Sequence, residues 1–142
     1  MKREKRIRVA RWLVTLPALF VMIVPPSIDW GPTHLMNPLW PAHARMHTAW
    51  LLATNSMVAG LALLLIWRRR DPSTLLLGAA LVAAPLLGFF VAAATRASYG
   101  GAFTDANGIA FTAGPLDANL AAFGLCLAAV GVGAALARGA RS

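Results

Sequence analysis

Charge is scarce in this 142-residue chain: Asp, Glu, Lys and Arg make up 13% of it, about half the share of an ordinary soluble domain. Acidic side chains are scarcer still, five in all, and there is one cysteine, Cys126. A lone cysteine rules out a disulfide-stapled domain and a cysteine-rich structural zinc site. Few charges alongside 58% hydrophobic residues rule out a disordered chain and a coiled coil. The mean hydropathy of +0.65 describes more apolar surface than a chain this short can hide in one water-soluble core. What remains is a polytopic membrane protein.

Crossing the hydrocarbon core as a helix takes roughly 20 mainly apolar residues. Four stretches meet that need, at about 9–26, 49–67, 74–95 and 120–137. The runs are continuous rather than alternating, which selects helices over a membrane barrel. Arg11 sits near one end of the first stretch, where its long stem can snorkel to the interface. That stretch follows a basic segment but ends in Pro25-Pro26 without a small-x-small cleavage site, so it reads as a retained helix, not a secretory signal. The expected fold is all-α: one integral membrane domain over 1–142, a four-helix transmembrane bundle with an outer loop and a short β-hairpin as cap.

Eleven of the thirteen basic residues lie before or just inside the start of the first span, between the second and third, or after the fourth; Arg45 and Arg96 are the exceptions. By the positive-inside rule both termini and the tight 68–73 turn face the cytoplasm, and loops 27–48 and 96–119 face outward, in a bacterial-type plasma membrane. The net charge of +8 is therefore a topology signal with affinity for anionic headgroups, and it excludes nucleic acid as a partner. The bilayer is the partner. Small residues recur in the last two spans, among them Gly78, Gly88, Gly124, Gly131 and Gly133. They suit close helix packing within the chain or an interface in a homo-oligomer or larger membrane complex. The five tryptophans fall near span ends, as interfacial belts.

All three histidines fall between positions 34 and 47. Asn37-Pro38 reads as a helix start, Asn capping and Pro at the first position, with the helix continuing through His43 and His47 into the second span. Residues four apart share a face, so His43 and His47 stack one turn apart, a common way to present two imidazoles to one metal ion. Thr54 lies within about 20° of His47 by helix geometry, with Asn55 further round. His34 can supply a third ligand and Asp29 a fourth, a set suited to Zn, Fe or Cu. Arg45 can bind an anionic group or pair with Asp29. Two other uses of the histidines stay open: metal-free acid–base or ligand-binding chemistry, and a structural place at the interface. In the second loop, Gly100–Thr104 and Ile109–Gly114 flank Asp105-Ala106-Asn107-Gly108, the pattern of a short hairpin whose Phe103 and Phe111 would form a lid. Asp105 reads as a turn residue, and Asp117 as the N-cap of the fourth span.

The run Thr33-His34-x-x-Asn37-Pro38-x-Trp40-Pro41-x-His43-Ala44-Arg45-x-His47, with Asp29-Trp30 ahead of it, resembles the hallmark of an uncharacterised family of small four-helix integral membrane proteins. The resemblance implies fold and topology and brings no activity with it. Two functional readings follow from the residues. One is a metal-dependent enzyme acting on a lipophilic small molecule, with His34, His43, His47 and Asp29 as ligands or catalytic groups and Arg45, Asn37, Thr54 and Asn55 lining its pocket. The other is a non-catalytic metal-handling, transport or assembly protein using the same site.

Overall fold

Four long helices dominate the computed structural model, which describes residues 2–68, 71–104, 112–113 and 116–140. They are α1 (Arg3–Asp29), α2 (Ala42–Arg68), α3 (Pro72–Thr95) and α4 (Ala118–Arg138). At ~1.5 Å per residue each is long enough for the ~30 Å hydrocarbon core, and all four are apolar enough to cross it. The chain belongs in a lipid bilayer as an up-down-up-down bundle.

Helix α1 runs three residues beyond the expected end, through both Pro25 and Pro26. Proline lacks an N–H, so the carbonyls of Val21 and Met22 lose their helical donors. Membrane helices tolerate this where a neighbour re-satisfies the freed groups. Here the Ser56 hydroxyl of α2 donates to the Met22 carbonyl at 3.2 Å. At the far end, Asp71 precedes α3 and Pro72 occupies its first turn, where a missing N–H costs nothing.

The centre is built from small and branched side chains: Ala10, Val14 and Ala18 of α1, Ala59, Ala62 and Ile66 of α2, Ala79, Val82 and Leu86 of α3, and Val130 and Ala137 of α4. Helix α1 packs on all three others and meets α3 across the middle; among the described residues the α2 and α4 backbones occupy opposite corners and are not neighbours. Two glycines set the closest approaches. A methyl group at Gly133 would stand 2.9 Å from Val14 Cγ2 and 3.1 Å from the Ala10 carbonyl; one at Gly78 would stand 2.7 Å from Ile66 Cγ1. Gly88 and Gly131 face open space. Towards the other end, Phe89 stacks on Phe123 at 4.1 Å and Phe20 meets Phe123 edge-on.

The start of α1 and the segment after α4 meet at one end, where Arg3 Nε donates to the Ala140 carbonyl at 2.9 Å and an Arg6 Nη donates to the Gly139 carbonyl at 2.8 Å. The opposite end carries the histidine segment. There α3 passes into a 3-10 turn, Arg96–Tyr99, closed by Gly100 with φ of +70°. A left-handed residue is needed at that point, which is the use of glycine. A methyl group at Gly101 would fall 2.4 Å from the Tyr99 ring, so that exposed side chain would have to shift to admit one.

The cap differs from the expected hairpin. Residues 100–104 form no strand. Instead a two-residue strand β1 (Thr112–Ala113) pairs antiparallel with β2 (Leu116–Asp117), directly before α4. Phe103 lies beneath the Arg96 guanidinium, 4.9 Å from ring centroid to Cζ. Asp105 and Phe111 lie outside the described residues. Asp117 caps α4 as expected, its Oδ1 accepting from the Asn119 and Leu120 N–H groups at 2.9 and 3.3 Å.

Candidate functional site

The segment from Gly31 to Pro41 is too rich in Gly and Pro to continue either flanking helix. Asn37 begins a single turn and not the second helix expected to start there: Oδ1 accepts from the Leu39 N–H at 3.0 Å and its carbonyl accepts from the Trp40 N–H at 3.2 Å. The next donor in a growing helix would be residue 41, and Pro41 has none. The turn stops there, and α2 starts afresh at Ala42, with the Arg45 N–H donating to the Pro41 carbonyl at 3.1 Å. Asn37 is 1% exposed; it organises the loop from within.

His34 faces back towards the end of α1. Its Nδ1 lies 2.9 Å from the Thr33 hydroxyl and 3.8 Å from Asp29 Oδ1, and its ring meets Trp40 edge-on at 5.5 Å. The Leu35 N–H donates to the Asp29 carbonyl at 2.9 Å, which holds the loop against the helix end. Among the described residues Asp29 therefore has the His34 ring, not Arg45, beside its carboxylate; Arg45 is half-buried on the first turn of α2.

His43 and His47 form a second, separate pair. Their Nε2 atoms stand 3.0 Å apart with the rings nearly perpendicular, and His47 is also 5.8 Å from the Trp50 ring. The buried face of α2 is marked by Leu52, Ala59, Ala62 and Ile66. At ~100° per residue, His43 points ~145° and His47 ~105° away from the centre of that face. They stand on the outward side with Trp50, Met57, Leu61 and Leu64, all exposed. Thr54 follows them outward, as its spacing implies, while Asn55 turns towards the bundle; both are half-buried.

Among the described residues, no three His, Cys, Asp or Glu side chains come within reach of a shared metal ion. The four expected ligands are thus arranged as two pairs, Asp29–His34 and His43–His47. Sequence spacing pointed to the second pair. The first depends on how the Gly31–Pro41 loop folds back, and the Thr33 hydroxyl beside His34 carried no signal of its own. The Nε2 separation in the second pair has two chemical solutions. In one, an imidazole protonated at Nε2 donates to the other. In the other, both rings carry their proton on Nδ1 and turn both lone pairs to one ion. An ion ~2.05 Å from each nitrogen, subtending ~90–109°, puts those nitrogens about 2.9–3.4 Å apart. The observed 3.0 Å falls inside that range.

A model for a family of unknown function, DUF6640, matches residues 13–141. No curated protein and no solved structure matches the chain.

Proposed function

Because this chain belongs to the DUF6640 family of unknown function, which lends it no activity, we propose from its chemistry that it is a metal-handling membrane protein that takes up one transition-metal ion on His43 and His47. The observation that carries this reading is the 3.0 Å convergence of two exposed imidazole nitrogens one helical turn apart. Imidazole favours Zn, Cu or Fe over Mg or Ca. Structural zinc sites use four protein ligands and catalytic ones about three. Two ligands at an exposed position leave several coordination positions to water or to a partner, which suits an ion that is received and passed on. The excess of basic residues at the end bearing the termini supports an orientation with that end cytoplasmic and the histidines outside.

One observation favours the enzyme reading. Trp50 is 63% exposed beside His47 and gives a lipophilic molecule an apolar surface from which to approach the ion through the membrane. The test is metal analysis and Zn(II) or Cu(II) titration of the full-length protein in detergent, with His43→Ala, His47→Ala and His34→Ala beside it. Binding lost in the first two variants and kept in the third is the expected result. An unmodified protein that binds neither ion overturns both readings. Metal-dependent turnover of an added lipophilic substrate would replace handling with catalysis.

A further inference from the structure

The end of the bundle opposite the histidines carries a second candidate site. An open cleft of about 660 Å³ lies between α1 and the end of α2, lined by Arg3, Arg8 and Arg11 together with Ile7, Trp12 and Trp67. Glu4 is the one acidic residue among them. Beside it, sharing Arg8 and Trp12, runs a groove of about 410 Å³ lined also by Lys5, Val9, Leu13 and Leu16. A basic cleft thus opens onto an apolar channel along the outward side of a membrane-crossing helix.

The cleft is shaped by specific contacts. Trp67 is fixed by donation from Nε1 to Thr15 Oγ1 at 3.1 Å and meets Trp12 edge-on at 5.3 Å. The Arg11 guanidinium lies 6.0 Å from the Trp67 ring centroid. Arg3 is tied through Nε to the Ala140 carbonyl. Arg8, on the ridge between cleft and groove, is exposed and has no hydrogen-bond or ion-pair partner among the described residues.

We propose that this end of the bundle binds one anionic phospholipid, its phosphate on Arg3, Arg8 and Arg11 and an acyl chain along Val9, Leu13 and Leu16. Three guanidiniums against one carboxylate select an anion, and guanidinium suits phosphate geometry. The adjoining apolar groove selects a lipid over free phosphate. Basic pockets at the ends of membrane helices favour such headgroups, and tryptophan belongs at that depth.

Native mass spectrometry of the full-length protein in detergent, titrated with phosphatidylglycerol, phosphatidylcholine or inorganic phosphate, tests this. Phosphatidylglycerol is expected to be retained well above phosphatidylcholine and to resist displacement by inorganic phosphate. Arg8→Gln should weaken phosphatidylglycerol about fivefold, the effect of one basic residue near a headgroup, and Arg8→Lys should weaken it less. Leu16→Gln, on a side chain outside the core, should weaken it without a change of charge. Arg138→Gln, also at this end but outside the cleft, should leave it unchanged. Equal retention of the two lipids, displacement by phosphate, or equal losses from Arg8→Gln and Arg138→Gln would overturn the site.

Discussion

The Ser56 hydroxyl of α2 donates at 3.2 Å to the one α1 carbonyl, that of Met22, whose helical donor would have been Pro26. A freed carbonyl in lipid has no water to turn to, so the serine stitches α1 to α2 where α1 is weakest. Ser56→Ala should therefore destabilise the bundle by about 1 kcal/mol, near the usual worth of an interhelical hydrogen bond in a membrane. In a Pro26→Ala background the Met22 carbonyl regains its helical donor, and the cost of Ser56→Ala should shrink. A double-mutant cycle on unfolding in mixed micelles measures this; equal costs in both backgrounds would show that the proline is irrelevant.

Gly133 and Gly131 are two residues apart on α4 but in opposite situations, the first against Val14 and Ala10 and the second facing open space. Gly133→Leu should force α4 off α1 and cost about 1–3 kcal/mol or more, the range for overpacking. Gly131→Leu should be neutral or slightly stabilising, since glycine is a poor helix former. Thermal unfolding of both variants in detergent distinguishes them. A similar fall in Tm for both would show that the cost comes from lost glycine, not from contact.

The four helices were legible because crossing a membrane demands long apolar runs, a signal no loop can imitate. The Asp117 cap was legible for a similar reason, since capping depends on residues one to three places away. The ends were less so. Pro26 looked like a stop, yet α1 continues because Ser56, thirty positions away, takes over a carbonyl. Asn37-Pro38 looked like the start of α2, and its local signal was real, but Pro41 ended the turn. The histidines were read as one cluster because they are close in sequence. Helix phase then sends His43 and His47 outward, while a folded-back loop takes His34 to Asp29. Local signals fixed each side chain's neighbours within a turn; the tertiary path decided which pairs met.

Asp117 holds the start of α4 through two backbone N–H groups. Asp117→Ala should cost about 0.5–2 kcal/mol, as for other lost N-caps, and Asp117→Asn should recover most of it. The readout is Tm in detergent. An Asn variant as unstable as the Ala variant would mean that the carboxylate acts through charge, not as a cap.

Because the histidines are divided into two pairs, metal binding should be divided as well. Asp29→Asn and His34→Ala should leave Zn(II) affinity within about twofold of the unmodified protein, since neither touches the His43–His47 nitrogens. His47→Ala should weaken it at least tenfold, because one imidazole cannot chelate. Acidification should release the ion, since protons compete for the same lone pairs. The sign is fixed: affinity falls as pH falls. Isothermal titration at several pH values measures all three effects. A large loss in Asp29→Asn would mean that the loop between Gly31 and Pro41 closes over the ion and joins the two pairs when metal arrives.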